Sequence, residues 1–285
     1  MFFRFLLIIS FITSCSNDRV VIQKQNKLNE ISYLLNNNKK VALFVHGLNQ
    51  RPDKMKDLMN VFHKTGYDCY LIQLKGHGSN FNDNLNKDIA DSKLDAFKNA
   101  KFNDWLDDFG NVYQKIKNNY SELVVVGYSL GGLVSLNYLE INKVKVDKLF
   151  LIAPSIAIHS LNYSVKFLSF FPTLVIPSLA PQTYRENKGT PVRAYLSLYK
   201  GIEKFEKLST DYINTKSLII LNEDDELVSY EKTKKIIKEK RLNNWKVVKI
   251  SKKNVEKDLD YEHLIIDSKS LGDSWEIIKN YIHTF

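Results

Sequence analysis

Short apolar runs recur along this chain at spacings that leave room for a helix between each pair. The first is Val41-Ala42-Leu43-Phe44-Val45, which follows Lys39-Lys40 and ends at His46-Gly47. A strand with one wet face alternates polar and apolar residues, so an unbroken run of this length predicts a strand covered on both faces. Residues 67–74, 122–127, 147–153, 216–221 and 245–250 give five further strand predictions. Between the first two, Met55, Leu58, Met59 and Phe62 fall on one side of a helix that Pro52-Asp53 opens and Gly66 closes. A polar loop is expected after Gly76-His77-Gly78 to about Asp91. Asn103 is the expected N-cap of a helix turning Trp105, Leu106, Phe109, Val112, Tyr113 and Ile116 inward. Residues 229–240 and 271–285 complete the set as amphipathic helices. Strands alternating with helices predict an α/β fold with a mostly parallel, doubly wound sheet. In such sheets chemistry sits beyond the carboxyl ends of the strands.

One stretch breaks the alternation. Residues 155–208 separate two strands and are far too long for a simple crossover. Their first half is dense in Leu, Phe, Val and Ile, with Pro172, Pro177 and Pro181 among them. We read this as a helical cap over the strand ends. The expected organisation is residues 1–14 as a leader, 15–38 as a tether with a short edge element, and 39–154 and 211–285 as the two parts of the core. Residues 155–210 are the insertion.

The 285 residues carry 41 Lys+Arg against 32 Asp+Glu, a net charge of +9. The lysines are spread along the chain, the pattern of solvated helix faces. The sharper consequence is attraction to anionic lipid headgroups, a real but non-specific force. No basic cluster is interleaved with aromatics in the manner of a nucleic-acid fold, so no nucleic-acid partner is expected. At the N-terminus, Arg4 is followed by an apolar run too short to span a bilayer, then Ile12-Thr13-Ser14-Cys15. This resembles a bacterial lipoprotein signal in which Cys15 becomes the lipidated first residue, holding the chain at the cell envelope. An ordinary secretory signal, with a secreted or periplasmic product, is the alternative. Lipidation of Cys15 leaves Cys69 alone in an apolar strand, as a buried inert thiol.

The candidate chemistry centres on Gly127-Tyr128-Ser129-Leu130-Gly131, between the apolar run Leu123–Val126 and an apolar helical segment. Strand, tight turn with serine at the apex, then helix is the context of a nucleophile elbow. A serine hydroxyl needs a base, and the base needs a carboxylate to fix its tautomer. Of the six histidines, only His263 follows both the serine and the acidic turn Glu223-Asp224-Asp225-Glu226. The residues alone leave those four acids open. Backbone N–H groups of Leu130, directly after the serine, and of Leu48, after the first strong strand, are placed to form an oxyanion hole.

Taken together, His46-Gly47-Leu48, Gly66-Tyr67, Gly76-His77-Gly78, residues 102–108 with Trp105, the serine pentapeptide, Asp225-Glu226-Leu227-Val228 and Glu262-His263 resemble the α/β-hydrolase family. The branch is that of monoacylglycerol lipases, carboxylesterases and serine-aminopeptidase-like enzymes. Asn222 stands where the family has glycine. The resemblance therefore implies Asp225 as the acid, with Asp224 as the fallback. It implies an acyl-enzyme mechanism without metal or organic cofactor, a lipid-like ester as substrate, and His46 and His77 as turn-stabilising groups. Thioesterase, acyltransferase or aminopeptidase activity would use the same triad. A non-catalytic envelope lipoprotein is a third possibility. A monomer is the default expectation.

Overall fold

A computed structural model describes residues 32–78 and 87–285. Cys15, the leader before it and most of the tether lie outside the described residues. The strands in chain order are β1 (Ser32–Leu34), β2 (Lys40–Val45), β3 (Tyr67–Ile72), β4 (Glu122–Tyr128), β5 (Lys148–Ile152), β6 (Val175–Pro177), β7 (Gly189–Pro191), β8 (Lys216–Asn222) and β9 (Trp245–Ile250). The helices are α1 (Lys56–Lys64), α2 (Lys87–Lys98), α3 (Phe102–Ile116), α4 (Leu130–Ile141), α5 (Val192–Lys207), α6 (Tyr230–Glu239), α7 (Ser268–Leu271) and α8 (Trp275–Thr284).

The main sheet runs β1-β3-β2-β4-β5-β8-β9. Six strands are parallel, and β1 pairs antiparallel with β3 at one edge. Val41–Val45 are fully buried, as a strand with neighbours on both faces requires. The far edge, β9, is mixed, with Trp245, Val248 and Ile250 buried and Lys246 and Lys249 exposed. Charged outward residues discourage another strand from adding there. The chain leaves β2 toward β3 and returns on the other side of β2 to form β4. Their carboxyl ends, paired as Val45 with Gly127, therefore frame the crevice where the winding reverses.

α4 is apolar all round, and every residue from Leu130 to Glu140 is buried, the mark of a helix enclosed by protein. Its one charge, Glu140, accepts the Tyr212 and Ile213 N–H groups and the Ser209 hydroxyl. α5 lies within the insertion and packs on α4 and α3 as well as on the 3-10 helix Ser160–Leu168 and on β7, so it joins cap to core. The apolar first half of the insertion forms no long helix. It holds that 3-10 helix and β6, which pairs antiparallel with β7. Pro172, Pro177 and Pro181 lack N–H donors, so a long helix cannot run through this apolar stretch.

Three other differences have local causes. The loop expected to reach Asp91 ends earlier, because α2 begins at Lys87. Lys93 and Phe97, four residues apart, anchor α2 on one buried face. α3 starts at Phe102, and Asn103 sits in its first turn, binding Lys204 Nζ at 3.0 Å. The end is closed by Asp104, whose carboxylate accepts the Lys101 N–H at 2.9 Å. The C-terminal helix begins only at Trp275. Gly272, at φ 57°, interrupts it, and a Cβ there would lie 1.9 Å from the Lys253 carbonyl oxygen.

Candidate active site

Ser129 stands between the end of β4 and the start of α4 with φ 51° and ψ −115°. A non-glycine residue with this backbone stores strain of about 1–3 kcal/mol, and here the surroundings over-determine it. Its N–H donates to the Ile152 carbonyl at 2.9 Å, and its carbonyl accepts the Ser155 N–H at 3.0 Å. The flanking glycines allow the tight turn. A Cβ on Gly131 would sit 2.0 Å from the Val45 carbonyl oxygen, and one on Gly127 would sit 2.7 Å from the Gly132 Cα.

The structure brings Ser129, His263 and Asp225 together. Ser129 Oγ lies 2.9 Å from His263 Nε2, and His263 Nδ1 lies 2.7 Å from Asp225 Oδ2. All three residues are buried. The other oxygen of Asp225 accepts the N–H groups of Leu227 at 2.7 Å and Val228 at 2.8 Å, which fixes the carboxylate. Asp224 is exposed, and its N–H donates to Asn222 Oδ1. With Nδ1–H given to Asp225, Nε2 is the acceptor for the serine proton.

The loop carrying His263 is held from several directions. Glu226 accepts the Glu262 and His263 N–H groups, each at 2.9 Å. The Tyr128 hydroxyl donates to the His263 carbonyl at 2.9 Å. Complete burial holds the Tyr128 hydroxyl well above its ordinary pKa, so it remains a donor. Asn222 donates to the Glu262 carbonyl at 3.0 Å. The residue at the family's glycine position thus joins the acid loop to the histidine loop.

Ser155 is a site residue that sequence reasoning missed. Its Oγ lies 3.0 Å from Ser129 Oγ, and it is buried. The available signal was its place directly beyond a strand end, after Pro154. Since Ser129 donates to His263, Ser155 is the donor to Ser129. It holds the nucleophile's rotamer with one neutral hydrogen bond. Ser155→Ala is expected to lower kcat about fivefold, the equivalent of roughly 1 kcal/mol. Steady-state hydrolysis at saturating substrate measures this, and an unchanged kcat would remove the role.

Leu130 is the first residue of α4, so its N–H has no intrahelical acceptor. The Leu48 turn is closed by the Gln50 N–H on the Gly47 carbonyl and by the Gly47 N–H on Gln50 Oε1. Neither bond uses the Leu48 N–H. The turn is clamped from outside by Asn49, whose N–H donates to His77 Nε2 at 2.7 Å and whose side chain pairs with the Asn187 backbone. His46 accepts the Leu74 N–H through Nε2, and its ring is tilted against that of His77, with centroids 4.7 Å apart. Both imidazoles therefore tie turns together and must be neutral to do so.

Burial, then the neighbouring His77, pushes His46 down from 6.5 to about 3, and burial pushes His77 from 6.5 to about 4. Below about pH 6.5 the unfolded chain binds protons that the folded chain refuses. Stability is therefore complete above that pH and falls as pH drops toward 4. The slope is about 1.4 kcal/mol per pH unit for each imidazole. Thermal unfolding followed across this range should show the loss. His77→Gln, which keeps an acceptor for Asn49, should remove the His77 share and leave that of His46; an unaltered slope would refute the assignment.

A cavity of about 320 Å3 opens over the serine. Its walls are mainly apolar and come largely from the cap and α5, including Ile158, Val165, Ile176 and Leu198. Among the described residues that line it there is no carboxylate. Among the described residues no cluster of three or more His, Cys, Asp or Glu side chains could hold a metal ion. Cys69 is buried with its thiol pKa raised by desolvation.

A thermostable monoacylglycerol lipase of Bacillus sp. strain H-257 is 30% identical over 95 residues, covering 33% of each chain. The monoacylglycerol lipase of Paleococcus ferrophilus superposes with TM-score 0.66 at 14% identity, covering 90% of this chain and 98% of that one. A soluble variant of the Saccharomyces cerevisiae monoglyceride lipase gives TM-score 0.63 at 14% identity, over 93% and 95% of the two chains. At such identity the structural likeness speaks for the α/β-hydrolase fold alone. The model of the serine aminopeptidase S33 family matches residues 36–251, most of the chain, and the protein belongs to that family.

Proposed function

We propose that this protein is a serine hydrolase that cleaves carboxylic esters of lipid-like, monoacylglycerol-type substrates through an acyl-enzyme intermediate. The observation that carries this reading is the continuous Ser129–His263–Asp225 hydrogen-bond chain at the floor of an apolar cavity. In the proposed cycle His263 takes the Ser129 proton as Oγ attacks the acyl carbon. The Leu48 and Leu130 N–H groups receive the negative charge on the carbonyl oxygen. His263 then returns the proton to the leaving alcohol. Water, deprotonated by the same imidazole, attacks the acyl-enzyme; His263 passes that proton to Ser129 Oγ as the acyl bond breaks and the acid leaves.

The apolar walls suit an acyl chain. An aminopeptidase reading lacks support, because a free amino terminus calls for an acidic partner and the described residues lining the cavity include no carboxylate. A panel of esters of graded acyl length, thioesters and aminoacyl amides, assayed with one preparation, tests the class. Faster turnover of amides than of esters would overturn it. For residues 1–31 we propose lipidation at Cys15 and attachment to the cell envelope. Mass spectrometry of the mature N-terminus decides that, and an unmodified or absent Cys15 would refute it.

A further inference from the structure

A second cavity, of about 580 Å3, is bounded by the first turn of α3, by the cap and by α5. Its charge is one-sided. Lys101, Lys166, Arg193, Lys200 and Lys204 line it against a single carboxylate, Glu203, which pairs with Lys166 at 3.1 Å. Lys204 binds the neutral Asn103 side chain and lies over the Phe102 ring. Arg193, Lys200 and Lys204 follow one stripe of α5 at helical spacing, where like charges four apart repel. Arg193 Nε is buried and has no hydrogen-bond partner among the described residues. A buried donor without an acceptor, among five cations and one carboxylate, is the arrangement an anion completes.

The segment between two residues of this cavity, Lys166 and Pro172, carries large exposed apolar side chains. Phe167 and Phe170 are each 87% exposed and Phe171 is 65% exposed. Aromatic side chains projecting beside cations match a bilayer surface, where rings enter the interface and cations meet headgroups. The 3-10 helix that carries Lys166 and Phe167 also carries Leu161, which lines the catalytic cavity while remaining exposed. We propose that the second cavity binds the phosphate of an anionic membrane phospholipid, and that the cap face bearing Phe167, Phe170 and Phe171 seats on the bilayer around it. This goes beyond the ester-hydrolase reading and stands independently of it.

The test uses the full chain in a suspension holding two vesicle populations, phosphatidylcholine alone and phosphatidylcholine with phosphatidylglycerol. Residues 1–31 are common to all variants, so differences report on the cavity. Lys101, Lys200 and Lys204 are exposed, and their replacement leaves the core untouched. The wild type is expected to favour the anionic vesicles, and K101Q/K200Q/K204Q to lose about a hundredfold of that preference. Hydrolysis of a soluble short-chain ester should be unchanged. Phe167→Ser with Phe170→Ser should weaken association with both populations. A lysine variant that keeps the wild-type preference would overturn the site. So would a wild type that shows no preference for the anionic vesicles yet binds inorganic phosphate, because the cavity would then take free phosphate rather than lipid.

Discussion

Replacing Ser129 by alanine is expected to lower kcat for a medium-chain ester by about 10⁵-fold or more. The variant keeps the oxyanion donors and the cavity but has no atom to form the acyl bond. What remains is the modest rate from binding and the Leu48 and Leu130 N–H groups. His263→Ala should cost nearly as much alone, and the double variant little more, because the two residues act as one unit. The same position offers a second reading. At φ 51° any side chain is strained, so Ser129→Gly should raise stability by roughly 1–3 kcal/mol while abolishing turnover. Steady-state kinetics and chemical denaturation on the same samples measure both. A Ser129→Ala protein retaining more than about one part in a hundred of wild-type activity would defeat the assignment.

Asp225→Asn should lower kcat about 10⁴-fold without unfolding the protein. Asp225 Oδ1 accepts two backbone N–H groups, so the single oxygen of asparagine stays there. Its amide NH2 then faces His263 Nδ1, which must become an acceptor. The ring proton moves to Nε2, where the Ser129 proton should be received, and general-base catalysis stops. Asp224→Asn, at an exposed position two residues beyond the end of β8, should leave kcat near wild type. If the two variants were equally impaired, the acid would have been misassigned.

The two substitutions also mark where reading the chain succeeds and where it stops. Ser129 and His263 are legible because the elbow needs its glycines and because the histidine must follow the acid along the chain. The choice among four consecutive acids is not local. It depends on which carboxylate the turn aims inward at Leu227 and Val228. Ser155 was invisible for a related reason: a serine beyond a strand end is ordinary until its oxygen is seen 3.0 Å from the nucleophile. The parallel strands announced themselves through unbroken apolar runs. The insertion did not, because its apolar residues carry no single period and its prolines admit turns, a hairpin or broken helices alike. The start of α2 was hidden because its polar sequence is held by the buried Lys93–Glu186 ion pair at 2.7 Å, a partner 93 residues away.

The insertion is fastened at both ends to the reacting groups. His159 binds the Asp225 carbonyl, Ile158 bridges to Val228, and Asn162 holds the Glu226 and Leu227 carbonyls. At its other end, Gln50 bridges to Arg185 and Asn49 pairs with Asn187. A hinged opening of the whole cap would therefore disassemble the acid loop and the oxyanion turn together. The fastening favours substrate entry past the exposed Leu161 and Leu179 side chains at the mouth over a swing of the cap backbone. The same fastening makes this segment a poor unit for grafting. A chimera that imports a relative's insertion to change selectivity inherits different anchors, and its first casualty would be turnover rather than substrate preference.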